Sequence, residues 1–392
     1  MMSNSVSSNR TSVANSGAAS SVGERIPDEA GVPDVRRGLS PSQVLWRKLR
    51  RNRTAMFGLY TLVVLYVAAI MAGFIAPYSS DNSVLEFSYH PPLITRIHIF
   101  DEQGGLARPF VYGSAADEGQ VAKYHDDQSK RYPIRLFVRG DDYHILWIIR
   151  TNVHLFGVDA PGRICLFGAD QLGRDVFSRI LYGGQISLSV GILGIVISTV
   201  IGMLVGGMAG YFGGPVDFLS MRFVEVLLAL PSLYFILILR KMFDNVSSTQ
   251  MYLIIIVILS LLGWATEARV IRGMVLSLKQ QEYVIAARAL GFGNARIIIR
   301  HILPNTMSFV IVTATLSVPF YILGEVALSF LGVGITEPDA SWGNMLAQAQ
   351  VTRTLVYFPW VLTPGFFIFL AVMAWNFLGD GLRDAADPRT RS

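Results

Sequence analysis

The feature that most constrains this chain is a series of apolar segments, each long enough to cross a lipid bilayer. A spanning helix needs about 20 mostly apolar residues, and the segment 55–76 contains no charge at all. Only 16% of all residues are charged, against about 25% in ordinary soluble domains. The sequence predicts six spans: 55–76, 188–211, 218–239, one within 245–266, 307–331, and one within 354–379.

The third predicted span is the least regular of the six. Arg222 and Glu225 lie near its start, its uncharged part is only 226–239, and Pro231 interrupts it. A bundled membrane helix tolerates a proline when neighbouring groups satisfy the freed carbonyl. We therefore keep this segment as a span.

Basic residues predict the orientation, because Lys and Arg concentrate in cytoplasmic loops. Two groups agree in placing both termini and the loop between spans four and five in the cytoplasm, whereas Arg240 and Lys241 fall on the outer side. The agreeing groups are Arg47, Lys48, Arg50, Arg51 and Arg53 before span one, and Arg269, Arg272, Lys279, Arg288, Arg296 and Arg300 in the loop.

Composition divides the chain into four parts. Residues 1–44 are largely Ser-, Asn- and Gly-rich and predict a disordered cytoplasmic tail without a cleavable signal. Residues 45–76 hold the basic segment and span one, and 169–392 hold the other spans. The polar stretch 77–168 predicts an outward-facing subdomain, with strands at 134–138 and 145–149. The alternative is one long loop, which is uncommon at this length.

Span two carries a small residue at every fourth position. The stripe consists of Gly194, Ser198, Gly202, Gly206 and Gly210. On a helix this spacing forms one narrow face that another helix can approach closely. Helix packing is one interpretation, and a face lining a solute pathway, with Gly202 and Gly206 at its centre, is the other.

The loop between spans four and five, 266–306, holds the most informative pattern. Residues 281–290 favour a helix, Gly291 suits a left-handed stop, and a second short helix should end before Pro304. The small side chains of Ala286 and Ala287 beside the turn predict a low surface on which a partner docks. An amphipathic helix lying at the membrane interface is the alternative.

Charged residues near the membrane form two further candidate groups. Glu325 falls inside span five, where a charge at mid-bilayer costs about 2.5–3.5 kcal/mol. It is either a pathway or subunit-interface contact, together with Ser329, or a buried carboxylate that pins a neighbouring helix. Before span two we expect an interfacial helix with an Asp175–Arg179 pair, which is structural or contacts an outer partner. This second group is Asp170, Arg174, Asp175 and Arg179.

No motif for catalysis is visible. The sequence has no Gly-x-x-x-x-Gly-Lys-Ser/Thr phosphate loop, no His-Glu-x-x-His and no Gly-x-Ser-x-Gly. Its histidines are scattered and its one cysteine, Cys165, excludes an internal disulfide framework. We therefore expect a protein that is not an enzyme and that holds no metal or cofactor of its own.

The loop resembles the EAA loop of ABC importer permeases, in the form found in dipeptide and oligopeptide permeases. The matching residues are Tyr283, Ala286, Ala287, Gly291 and the segment 301–305, while Ile285 stands where the family has its name-giving glutamate. The resemblance implies that a partner ATPase docks here. The residues expected to form the docking site are Glu282, Tyr283, Ala286, Ala287, Arg288, Gly291, His301 and Pro304.

Further stretches resemble the C-type permease subunit of the same family: 47–59, 167–179, 325–332 with 341–343, and 359–388. The resemblance implies an all-α membrane protein with the six helices of the type I ABC importer permease fold and a β-containing periplasmic insertion. It also implies a homologous second permease, two ATPases that bind the ATP and Mg, and an extracytoplasmic binding protein at a bacterial inner membrane. The implied solute is a peptide; nickel or another small solute, or a stand-alone secondary transporter, are the alternatives.

Overall fold

A computed structural model describes residues 41–100, 105–116, 123–145, 149–243 and 246–386. The chain divides at Val44 into two units, and the architecture below is that of Leu45–Ser392. The predicted tail 1–44 therefore lies outside the described residues except for its last four positions. Arg389 and Arg391, two basic residues that agree with the predicted cytoplasmic C-terminus, also lie outside them.

Helices make up most of the described chain. The membrane helices are α2 (Arg53–Ile70), α4 (Val176–Phe212), α5 (Gly214–Ala229), α6 (Ser232–Lys241), α7 (Ser248–Leu278), α10 (Leu303–Phe330) and α13 (Thr363–Ala386). The shorter helices are α1 (Pro41–Arg51), α3 (Ala72–Ile75), α8 (Glu282–Ala289), α9 (Asn294–Ile297), α11 (Trp342–Ala347) and α12 (Thr352–Tyr357). A π-helical turn, Ile298–Ile302, connects α9 to α10.

Five helical segments are long and apolar enough to cross a membrane, and a sixth exists only as a broken pair. The pair consists of Gly214–Ala229 and Tyr234–Lys241, which are bent by 94°. The break follows from Pro231, which lacks an N–H and pushes the preceding residue out of the helical region. Leu230 accordingly has an extended ψ of 131°. The structure thus has a helical segment at the place of each predicted span, five of them continuous and the third a bent pair.

Two predicted helix ends are wrong. Helix α7 does not stop near residue 266 but runs to Leu278, so it carries Glu267, Arg269 and Arg272 as helical residues. The second short helix of the loop does not end before Pro304, because α9 continues through the π-helical turn into α10. A π-helical turn is wider than an α-helical one. It therefore leaves more room between the Pro304 ring and the carbonyl four residues earlier, with which a proline ring clashes in a regular helix.

The insertion between α3 and α4 contains two antiparallel sheets. Strands β1 (His98–Phe100), β2 (Leu106–Ala116) and β3 (Tyr124–Pro133) form one, and β4 (Arg135–Ile145) pairs with β5 (Ile149–Gly157). The strand predicted at 134–138 is the start of β4. The strand predicted at 145–149 is wrong, because Ile145 ends β4 and pairs with Ile149, which begins β5; residues 146–148 lie outside the described ranges.

The core lies where α4 packs along α7 and α10 and where α2 packs along α13. Large buried side chains fill it, including Leu188, Leu259, Tyr321, Ile322 and Trp342. The insertion is tied to the C-terminal end of the first span. The Tyr143 ring of β4 lies directly against Gly73 of α3, where a Cβ would collide with the ring. His154 of β5 lies with Nδ1 2.5 Å from the Ala76 carbonyl oxygen.

Candidate docking loop and charged sites

Helix α8 has one face turned into the protein and the other turned out. Val284 and Ala287 are buried in a small apolar cluster with side chains of α4, α7, α9 and α10. The outward face is a mixture of charged and apolar groups, and Leu290 at its end is 74% exposed. The exposed residues are Glu282, Tyr283, Ile285, Ala286, Arg288, Ala289 and Leu290. An exposed apolar surface of this kind is suited to contact with another protein.

The expectation that two alanines form the low surface is wrong for Ala287. Its side chain is only 4% exposed, because residues three apart share a helix face and Val284 points into the cluster. Ala286 remains on the outward face. A charged substitution at Ala287 would therefore disturb the packing under the loop as well as any docking surface.

Gly291 ends α8 in the left-handed conformation that the sequence predicts. Its φ is +77°, the Gly291 N–H donates to the Arg288 carbonyl (3.0 Å), and the Phe292 N–H donates to the Ala287 carbonyl (3.2 Å). These two bonds form a Schellman motif, which satisfies the last carbonyls of a helix. The direction in which the chain leaves α8 is therefore set by this glycine.

Side chains connect the loop to the membrane helices. The Tyr211 hydroxyl at the end of α4 donates to Asn294 Oδ1 (2.9 Å), and the Arg288 guanidinium lies over the Tyr211 ring at 5.5 Å. Asn305 of α10 donates to the Tyr283 hydroxyl (3.2 Å). Helix α8 is thus connected to α4 through the Arg288–Tyr211 contact and to α10 through the Tyr283–Asn305 bond.

His301 and Pro304 are not part of α8: His301 lies in the π-helical turn and Pro304 at the start of α10. The His301 ring stacks on Phe292 with ring centroids 5.9 Å apart, and Arg296 covers the same Phe292 ring at 4.4 Å. Pro304 is exposed in the first turn of α10. A direct role of these two residues in docking stays a prediction.

The small-residue stripe of α4 faces α7 and α10. A Cβ on Gly202 would lie 2.9 Å from the Glu267 Cβ, and one on Gly210 would lie 2.8 Å from the Arg272 carbonyl oxygen. Ser198 is buried, and its hydroxyl lies 3.4 Å from the Ser260 carbonyl oxygen of α7. This geometry is that of the packing interpretation. The pathway role of Gly202 and Gly206 stays a prediction.

Replacing a glycine should destabilise the protein where the glycine packs against a neighbouring helix, and should not where it faces open space. We expect Gly206→Val to destabilise the protein by about 1–3 kcal/mol or more, because the new side chain would strike the Ala268 backbone. Gly273→Ala on α7 is the control, since nothing lies within 4 Å of its added Cβ. It should be neutral or stabilising by roughly 0.5–1 kcal/mol. Thermal unfolding of the detergent-solubilised protein measures both, and equal melting temperatures would contradict the packing.

Glu325 is fully buried and hydrogen-bonded within the chain. Its carboxylate accepts from the Ser187 hydroxyl of α4 (2.6 Å) and from the Ser329 hydroxyl of α10 (2.7 Å). The Ser187 oxygen also accepts from the Trp342 N–H of α11 (3.2 Å). Glu325 therefore joins three helices, as the structural alternative describes. A role of Glu325 and Ser329 in the pathway stays a prediction.

A buried charge network lies just before α4. Arg174 donates to Asp170 (2.7 Å) and to Glu337 (3.0 Å), and Arg179 pairs with Glu337 at 3.1 Å and Asp170 at 3.7 Å. Both arginines are almost completely buried. The sequence reasoning missed Glu337, although its place after span five puts it on the same side of the membrane as the two arginines.

Asp175 does not pair with Arg179 as expected. It is the N-cap of α4, and its carboxylate accepts from the Ser178 N–H (2.8 Å) and hydroxyl (2.6 Å). Capping uses the lone pairs locally and satisfies a free helix N–H, while Arg179 turns to Glu337. Residues 170–175 form a turn closed by an Ala169–Asp175 bridge, so the expected interfacial helix before span two is also wrong. Within the described residues no group of three or more His, Cys, Asp and Glu side chains could hold a metal.

The Asp175 cap should make stability depend on pH. Burial raises the pKa of the Asp175 carboxyl from 3.8 to about 6, so the folded protein holds the proton more tightly than the unfolded chain. Stability from this group is therefore full at low pH and is lost as pH rises through 6. Asp175→Asn keeps a capping oxygen but does not titrate. Between about pH 4 and about pH 7, the melting temperature of wild type should fall relative to that of Asp175→Asn. A difference in melting temperature that stays constant over this range would contradict the prediction.

Comparison with known proteins identifies the type of membrane protein. The family model described as "Binding-protein-dependent transport system inner membrane component" matches residues 198–392. The model described as "N-terminal TM domain of oligopeptide transport permease C" matches residues 40–92. A solved structure titled "Crystal structure of an amino acid ABC transporter with histidines" aligns with 53% of this chain and 94% of that chain, at a TM-score of 0.38 and 15% identity.

Several relatives resemble the chain over most of their length. The "Dipeptide transport system permease protein DppC" of Bacillus subtilis (strain 168) is 36% identical over 356 residues, 91% of this chain and 88% of that protein. The "Oligopeptide transport system permease protein OppC" of the same strain is 40% identical over 243 residues, 62% and 77% of the two chains. OppC of Haemophilus influenzae is 43% identical over 226 residues, 57% and 70%.

These relatives are membrane-spanning transport subunits and not enzymes, and the multi-pass helical architecture of the chain agrees with theirs. The predicted type I permease fold is confirmed by the family match over the helices from α4 onward. The chain belongs to the family of ABC transporter permease subunits of the dipeptide and oligopeptide type, represented by DppC and OppC.

Proposed function

We propose that the chain forms one half of the translocation pathway of an ATP-driven importer for peptides in the bacterial inner membrane. The relatives that carry peptide-transport names span most of the chain, at 36–45% identity. A homologous second permease forms the other half, and two cytoplasmic ATPases bind the ATP and Mg. The chain binds no cofactor itself.

The observation that carries this proposal is the protruding α8. Its outward face offers exposed apolar and charged groups, while Val284 and Ala287 anchor it from below. A surface that is exposed in the single chain and yet fixed to two membrane helices is suited to a partner that applies force. Ile285, in place of the family's glutamate, presents an apolar side chain, 56% exposed, to that partner.

Permeases of this family work with ATPase and binding-protein partners. The basic residues around α1 and α8 support a cytoplasmic position for both termini and for the docking loop. With that orientation, the β-containing insertion 77–168 and the Arg174–Glu337 network lie on the outer side. The binding protein delivers its solute to this side, next to the start of α4.

The proposed cycle is alternating access. Closure of the ATPase dimer displaces α8, and the Arg288–Tyr211 contact and the Tyr283–Asn305 bond pass the displacement to α4 and α10. The bundle then opens outward to the loaded binding protein, and ATP hydrolysis resets it. A ligand shifts such an equilibrium only by its differential affinity for the two states, so α8 must contact the two ATPase states differently.

Reconstitution tests the proposed function. The complete transporter, with its second permease, ATPases and binding protein, is placed in liposomes, and uptake of radiolabelled tri-alanine is measured. We expect uptake that requires ATP and that stops when the ATPases are omitted. Uptake driven by a proton or sodium gradient without ATP would show a secondary transporter and would overturn the proposal.

A further inference from the structure

Glu267 is an acidic residue within a membrane-spanning helix that the transport cycle above does not use. It lies in α7 between Trp264 and Ile271, both of which are buried. A charge inside a span is costly unless it faces protein or a water-filled cavity. The sequence predicts the fourth span within 245–266, so Glu267 falls one residue outside the predicted span.

Two adjoining cavities meet at this residue. One has a volume of about 380 Å³ and the other about 240 Å³, and both are lined by Thr266, Glu267 and Ser317. The larger also contacts Ser232 at the start of α6 and Tyr321 of α10. Hydroxyl-bearing residues from three helices thus line the cavities that meet at Glu267. A largely apolar cavity with a few converging polar groups is the usual form of a small-molecule site.

The backbone around the larger cavity is irregular. The third span breaks at Leu230, with the 94° bend, and α10 contains Pro319 between Ser317 and Tyr321. Broken helices at membrane depth are tolerated where they line a cavity or are buried in protein. The break therefore opens onto the same space as Glu267.

Glu267 has no protein cation to neutralise it. Within the described ranges no Lys, Arg or His forms an ion pair with it, and the Thr199 hydroxyl of α4 is its polar neighbour. Two other acidic residues of the membrane helices are paired with arginines, Asp217 with Arg272 and Glu225 with Arg222 at 2.9 Å, and Glu325 accepts from two serine hydroxyls. An unpaired carboxylate facing a cavity leaves room for a cation supplied from outside the chain.

We propose that Glu267 is a specificity residue of the pathway that binds a cationic side chain, an ammonium or guanidinium group, of the transported peptide. The inference rests on the proposed function. A carboxylate cannot distinguish peptides by their terminal amine, because every linear peptide carries one. It can distinguish them by whether a side chain is positively charged. The larger cavity, of about 380 Å³, has room for a lysine or arginine side chain.

The test compares two peptides that differ only in this charge. Uptake of Ala-Lys-Ala and of Ala-acetyllysine-Ala is measured in the reconstituted transporter with the binding protein saturated by each. We expect Glu267→Gln to lower maximal uptake of Ala-Lys-Ala about tenfold, the effect of losing one charge-assisted contact. Uptake of the acetylated peptide should stay unchanged, and Glu267→Asp should recover most of the uptake of Ala-Lys-Ala.

Glu225→Gln is the matched control, because it removes a membrane-helix carboxylate that Arg222 already neutralises; it should affect the two peptides equally. Equal loss of both peptides in Glu267→Gln, or no loss of either, would overturn the inference. Failure of the wild-type transporter to take up either peptide with ATP would instead overturn the proposed function.

Discussion

Replacing Gly291 with proline should remove ATP-driven uptake while the permease remains in the membrane. The position has φ +77° and uses its N–H to close the end of α8, whereas proline holds φ near −65° and has no N–H. Losing this conformation costs about 3 kcal/mol, which corresponds to a roughly hundredfold smaller population of the docking geometry. Uptake in proteoliposomes and the amount of permease in the membrane are measured together.

Gly291→Asn is the control for this experiment. Asparagine tolerates the left-handed region, and nothing lies within 4 Å of a Cβ at this position. We expect near-normal uptake for Gly291→Asn. Normal uptake by Gly291→Pro, or equal loss in both variants, would show that the turn after α8 does not set the coupling.

The second large effect is expected for Arg179→Ala. This change removes one of the two arginines that pair with Asp170 and one of the two that pair with Glu337. It also removes the hydrogen bond that Arg179 donates to the Ser80 carbonyl (3.0 Å). Removing one partner of a buried ion pair costs about 3–5 kcal/mol where the remaining charge is left unpaired. Here Arg174 still pairs with Asp170 and with Glu337, so the cost falls toward the lower end of this range and includes the cavity left by the buried Arg179 side chain. We expect a large fall in melting temperature and in the yield of folded protein.

Arg150→Ala gives the matched comparison for Arg179→Ala. Arg150 of β5 and Asp142 of β4 form a mostly exposed pair in the insertion, and solvent-exposed pairs contribute little to stability. The melting temperature of Arg150→Ala should therefore stay close to that of wild type. Similar stability of the two variants would mean that the network before α4 does not hold the insertion-side loop in place.

Sequence reasoning was most successful where a physical rule acts locally. Uncharged apolar runs predict spans because a lipid environment requires them, and Gly291 predicts a left-handed stop because few other residues adopt that conformation. Pro231 marked the third span as irregular, and the structure breaks it there. Each of these follows from a few neighbouring residues.

The errors arise where residues distant in sequence, or competing local hydrogen bonds, determine the position of a side chain. Ala287 could not be assigned to the buried face without knowing that α7 and α9 cover it. Glu337 joins Arg174 across 163 residues of sequence, and a single sequence shows no such contact. Asp175 had two possible partners at helical spacing, and the capping bond to Ser178 prevailed over the pair with Arg179. Glu267 was missed because the fourth span was assumed to end at the first charged residue after its apolar run.

The account depends on α8 meeting an ATPase on the cytoplasmic side, and cysteine labelling of Ala286 tests this most directly. The single native cysteine, Cys165, is fully buried, and burial raises the pKa of its thiol, so Ala286→Cys provides the reactive site. We predict that a membrane-impermeant maleimide labels Ala286→Cys in inside-out vesicles only, and that bound ATPases protect it. Labelling from the outer face, or labelling that the ATPases leave unchanged, would contradict the account.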